Sequence, residues 1–156
     1  MSTPPTIRAL DRRECEEILA RNHVGRLAYT RQGRVDIEPL HYVYSDGWIY
    51  GRTSHGAKMD AVSYTWAPVA FEVDEVEGLF QWRSVVLHGG FYAIPEDGAE
   101  WEQGEWRRGL ELLRELIPET LAEDDPAPHR RVLFRIAVQE ITGREAEPGT
   151  PAADAG

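Results

Sequence analysis

A tight turn at Arg31-Gln32-Gly33-Arg34 and a second at Ser45-Asp46-Gly47 constrain this chain most, because strands joined by so few residues run antiparallel. The segments they connect read as strands: Gly25 to Thr30, Val35 to Tyr44 and Trp48 to Thr53. Pro39 has no N–H for a ladder, so the second of these has an edge or bulge there. Pro68 to Asp74 and Gln81 to Ala93 continue the pattern, the latter long enough to bend at Gly89-Gly90. Arg131 to Ile141 alternates again, with Val132, Phe134, Ile136 and Val138 on one face, and would close the sheet.

Helices flank these six strands. Asp11-Arg12-Arg13-Glu14 reads as a capping box opening a helix to about Asn22, with Ile18 and Leu19 facing the core. Ala57 to Tyr64 reads as a short helix. From Glu100 to Ile117 the apolar spacing becomes helical, through Trp106, Leu110, Leu113 and Ile117, and Pro118 ends or restarts that run. The result is a mostly β, α+β domain, a small antiparallel barrel with helical cover. Residues 1–9 read as an arm, 10–143 as the domain, and 144–156 as a disordered tail of Pro, Ala, Gly and acidic residues.

A formal net charge of −10 argues against a general nucleic-acid or anionic-membrane binder. The single cysteine, Cys15, permits no intrachain disulfide and, within a helix, reads as a packing residue rather than a thiol catalyst. No run of about 18 apolar residues and no secretory leader is evident, so a cytoplasmic location is expected. The five histidines match no compact zinc spacing, and no metal site is expected. Glu72 and Asp74 share a strand face at period two, read as a solvated acidic surface rather than a catalytic pair.

The stretch Ile49 to Lys58 carries the functional signal. Arg52 and Lys58 supply positive charge, Thr53 and Ser54 supply hydroxyl donors, and a helix starting near His55 would turn free N–H groups to the same point. Taken alone it is equally a solvated turn with Ser54 as an N-cap. His55 in this turn would serve a bound phosphate or a small anionic substrate. His41 reads as a wall residue; either histidine could exchange protons, and no residue is assigned as an essential acid or base.

Several segments occur in an order that resembles one family: Cys15-Glu16-Glu17-Ile18-Leu19, Asn22 to Ala28, Pro39 to Tyr44, Ile49 to Lys58, Val69 to Asp74 and Trp82-Arg83-Ser84-Val85. Together they resemble the pyridoxamine 5′-phosphate oxidase-like flavin-binding split barrels, in particular the branch that includes nitroimidazole-resistance proteins. The resemblance implies a six-stranded antiparallel split barrel, a homodimer, and FMN in two equivalent clefts at the subunit interface. It places Arg52, Thr53, Ser54 and Lys58 at the FMN phosphate and Pro39, Leu40, His41 and Tyr42 along the isoalloxazine ring. Trp82, Arg83 and Ser84 would meet the flavin from the neighbouring subunit.

FMN carries its own redox chemistry, so no Ser-His-Asp set or metal cage is required. The chain lacks the terminal segment rich in Arg, His and Trp that true pyridoxamine phosphate oxidases use for substrate, which argues against vitamin B6 oxidation. The expected activity is reduction of a small planar electrophile, nitroaromatic or quinone-like, with electrons from a reduced nicotinamide. The alternatives are a non-enzymatic module that binds or sequesters flavin, haem or deazaflavin, and a ligand-free structural dimer.

Overall fold

Residues 3–54 and 67–151 are described by the structure, a computed structural model. Seven strands and two helices follow in the order β1 (Thr6–Leu10), α1 (Arg12–Arg21), β2 (Val24–Arg31), β3 (Arg34–Ser45), β4 (Trp48–Thr53), β5 (Ala67–Gly78), β6 (Gln81–Ile94), α2 (Glu100–Leu116) and β7 (Val132–Glu147). Every pairing is antiparallel. The order β7-β4-β3-β2-β5-β6 returns to β7, so the six expected strands close a ring and β1 lies outside it. The short helix read at 57–64 lies outside the described residues.

Local chemistry sets the hairpins. Gln32 and Gly33 have φ of 49° and 78°, and Asp46 and Gly47 have 49° and 83°, the paired positive values of a turn whose twist matches that of the strands. The bend expected in β6 is a register shift between His88 and Gly89. Asp11 accepts from Glu14 N–H at 2.8 Å while Glu14 accepts from Asp11 N–H at 3.2 Å, so the capping box forms as read. At the other helix the regular run ends before Pro118, with Ile117 as C-cap.

Two boundaries differ from the sequence reading. Residues 6–9, read within an arm, form β1 together with Leu10, and residues 144–147, read within the tail, continue β7; β1 pairs with β7 from Thr6↔Glu147 to Leu10↔Gly143. Neither has a clean alternation of apolar side chains, and β1 is exposed almost throughout. Backbone pairing orders both, and composition does not report it.

The ring encloses the core. Phe91 and Phe134 stack with centroids 4.7 Å apart, Tyr42 meets Phe71 edge-on at 5.2 Å, and Leu27, Leu40, Ile49, Val73, Val85 and Leu87 fill the space between them. From α1, Cys15, Ile18 and Leu19 plug one end of the barrel. Cys15 is so close to β7 that a Cβ built on Gly143 would come within 2.6 Å of its Sγ. α2 is held more loosely: only Gly109 and Leu113 are buried.

Candidate functional site

β3 positions the first wall of the site. Its ladder with β4 begins at Tyr42, whereas its ladder with β2 runs from Arg34 to His41. Among the described residues, the other edge of β3 from Arg34 to His41 therefore has no ladder partner, which accommodates Pro39 as expected. Tyr42 N–H donates to His23 C=O at 3.0 Å. Backbone groups alternate sides along a strand, so those of Pro39 and His41 turn to the open edge. Side chains alternate too: Leu40 and Tyr42 are buried in the core, Pro39 and His41 are exposed. The Tyr42 hydroxyl donates to Leu19 C=O at 2.7 Å, and burial raises its pKa well above the ordinary phenol value.

β4 supplies the second wall. Arg52 and Thr53 are buried and Ser54 is half-buried. The Arg52 guanidinium is already engaged, donating to both oxygens of Asp125 at 2.5 and 2.6 Å and to Arg130 C=O at 3.3 Å. Asp125 also accepts the N–H groups of Leu121 and Ala127, each at 2.9 Å. The Arg52 charge and the two N–H donors hold the Asp125 carboxyl far below the usual carboxylate range. This fork-to-carboxylate bond clamps the segment after α2 onto the end of β4. Arg114 Nε–H reinforces it by donating to Thr120 C=O at 2.9 Å.

Beneath the clamped segment lies a cavity of about 290 Å³, lined by His41, Arg52, Leu113, Ile117, His129 and Arg130 among others. It brings together the β3 and β4 segments singled out in the sequence. His55 and Lys58 lie outside the described residues. Asp125, His129 and Arg130 escaped attention as site residues. The available signal was chemical: a strand arginine with buried neighbours requires a carboxylate, and Asp124-Asp125-Pro126 offers one at a turn.

Trp82, Arg83 and Ser84 are elsewhere. Arg83 opposes Glu145 on β7, whereas Arg52 opposes Leu133, twelve residues earlier on the same strand. At about 3.3 Å per residue that is about 40 Å of strand, so one chain does not bring the two groups together. Arg83 Nε–H donates to Glu145 at 2.5 Å and Nη1–H to Glu75 at 3.5 Å; Trp82 is half-buried. The Arg21 guanidinium holds the Glu75 carboxyl down at about 2. Ser84 donates to Glu72 at 3.3 Å.

Glu72 and Asp74 share the outward face of β5, as read, with Arg26 Nη1 3.6 and 3.5 Å away. They are half-buried rather than fully solvated. Burial, with Asp74 beside it, pushes Glu72 up to about 7. Val35 and Ile37 on β3, one strand beyond β2, expose large apolar side chains. His88 lies exposed on the sheet surface, as read. Among the described residues no three His, Cys, Asp or Glu side chains converge as a metal site, and no helix is long and apolar enough to cross a membrane.

With a closed antiparallel ring and a cavity at the β3–β4 end established, the chain belongs to the pyridoxamine 5′-phosphate oxidase family, whose model matches residues 11–145. A FAD-binding protein of Mesorhizobium loti is 30% identical, with a TM-score of 0.72 over 90% of this chain and 99% of that one. A 5-nitroimidazole antibiotic resistance candidate from Bacteroides thetaiotaomicron shares the fold at 15% identity, with a TM-score of 0.68 over 97% and 95% of the two chains. An uncharacterized Rhizobium meliloti protein is 29% identical over 89 residues, 57% of this chain; the match spans 58% of that protein's length.

Proposed function

We propose that the chain is a flavin-binding oxidoreductase that reduces small planar electrophiles, nitroaromatic or quinone-like, with reduced nicotinamide as donor. The observation that carries this reading is the open β3 edge beside the cavity shared by His41 and Arg52. Outward-turned N–H and C=O groups at His41 and the C=O at Pro39 match the alternating donors and acceptors on the polar edge of an isoalloxazine ring. FMN is the favoured flavin because the phosphate requires only a few donors. Thr53, Ser54, His55 and Lys58 are the proposed set, with Arg52 holding the neighbouring segment in place. The family match and the M. loti FAD-binding relative support flavin as the class.

When bound, the flavin supplies hydride acceptance and donation. The chain's residues would fix the ring edge through β3 and exclude water with Leu113 and Ile117. A homodimer is part of the proposal, since Trp82, Arg83 and Ser84 reach a flavin at the Arg52 end only from a neighbouring subunit. The exposed Val35 and Ile37 and the half-buried Glu72 and Asp74 are suited to that contact.

The test is the visible spectrum of the purified protein, before and after incubation with FMN or FAD and gel filtration. A two-band flavin spectrum at one flavin per subunit is expected, with nicotinamide oxidation dependent on a nitroaromatic or quinone acceptor. Ser54→Ala with Lys58→Ala should weaken FMN by about a hundredfold or more, since each removes a contact to a charged group worth about 1.5–3 kcal/mol. Loss of flavin from the wild type would sink the reading. Flavin retention without turnover would instead favour a binding module, a reading motivated by the neutralisation of Arg52 by Asp125 within the cavity wall. A Soret-type band would identify haem.

A further inference from the structure

A second cleft, of about 410 Å³, lies at the opposite end of α2 and shares no lining residue with the first. Trp48 from the start of β4, Tyr92 from β6, and Trp101, Glu102 and Glu105 from the first turns of α2 converge on it with Arg135 of β7. Eight or more residues of helix separate Trp101–Glu105 from Leu113–Ile117, about 12 Å or more along the axis.

The chemistry of this cleft is one-sided. Trp48 and Tyr92 meet edge to face at 6.1 Å, and the Arg135 guanidinium lies over the Trp48 ring, 3.7 Å from its centroid. The cleft thus already holds one planar cation on an aromatic face. Arg135 Nη1–H donates to one oxygen of Glu105 at 2.9 Å, and Ala99 N–H donates to one oxygen of Glu102 at 2.9 Å. Each carboxylate keeps a second oxygen with no protein partner among the described residues. The lining therefore carries two carboxylates against one guanidinium. Glu96, Asp97 and Glu100 add exposed negative charge on the segment leading into it. Trp101 is 67% exposed at the rim and makes no ring contact among the described residues, an unusual placement for the largest apolar side chain.

We propose that this cleft binds a planar organic cation, an N-alkylated aromatic ring, stacked on Trp101 and facing the unpaired oxygens of Glu102 and Glu105. Neutral rings would lose the electrostatic part of both contacts, and anions would be repelled. The site operates independently of the flavin reading.

Calorimetric titration of the full chain with 1-methylquinolinium, and with neutral quinoline at pH 8, tests this. The expected result is saturable binding at one cation per chain, weakened about fivefold for quinoline and about fivefold by Trp101→Ala, the upper range of a cation–aromatic contact at an exposed site. Thermal melting should show Trp101→Ala folded as the wild type is. Glu102→Gln, which keeps a carbonyl oxygen for Ala99 N–H, should also weaken the cation and leave quinoline unchanged. The proposal is overturned by absence of saturable binding, by equal affinity for quinoline, or by unchanged affinity in Trp101→Ala. A concentration-dependent loss of dimer in Trp101→Ala would also overturn it, since the cleft would then be a contact between two copies of this chain.

Discussion

Two buried carboxylates sit near opposite ends of β7 and are treated differently. At the Leu133 end, Asp125 meets a single guanidinium, that of Arg52, and both side chains are sealed, with 8% and 1% of their surfaces exposed. At the other end the Glu145 side chain is also buried, at 8% exposed, but its partners Arg8 and Arg83 are 48% and 39% exposed. The difference separates a fastener from a hub. Arg52 has no alternative partner in water, so the pair is committed. Arg8 and Arg83 also reach Glu14 and Glu75, and either can exchange partners at the surface.

The sharpest way to break the contrast is to remove one member of each network. Arg52→Ala leaves Asp125 buried and unpaired and should cost about 3–5 kcal/mol in urea unfolding. Glu145→Gln should cost about 2 kcal/mol, the scale of hydrogen bonds to charged groups, because its arginines recover water. Equal losses at the two ends would collapse the distinction. Acid titration sharpens it: the Asp125 carboxyl lies below its unfolded value, so its contribution is present above about pH 4 and is lost as the pH falls through the lower folded value. Burial opposes the same shift at Glu145, yet the Arg83 and Arg8 guanidiniums leave it below the usual range, so its contribution fades in the same direction.

Glu72 should behave oppositely. Its carboxyl is raised to about 7, so the fold favours the protonated form, and the stability this supplies is present below about pH 4 and lost as the pH rises through 7. Glu72→Gln is expected to raise the unfolding free energy at pH 8 by on the order of 1 kcal/mol after solvent screening, and to change it little at pH 4. Destabilisation at pH 8 would contradict that assignment. The smallest effect belongs to the exposed Arg13–Glu17 pair on α1, where Glu17→Gln should shift stability by about 0.5 kcal/mol or less.

What was legible in the sequence was local. Gln32-Gly33 and Asp46-Gly47 fixed two hairpins because their backbone demands are met within four residues, and the α1 capping box is likewise complete in a four-residue window. Pro39 announced its open edge through a missing donor. The pairing of Arg52 with Asp125, 73 residues away, has no local signature, and so Arg52 reads from sequence as a free cation. The same holds for the register of β7, which separates Arg83 from Arg52. β1 stayed hidden because a strand recruited by backbone pairing need not alternate.

The seating of Cys15 between α1 and β7 makes the chain its own stopwatch. It is the sole thiol, 1% exposed, and burial pushes its pKa upward, so in the seated state neither access nor ionisation favours attack. A thiol-specific reagent must wait for α1 to lift from the barrel mouth. When closing is fast relative to modification, the labelling rate measures the equilibrium population of that lifted state, without an introduced probe.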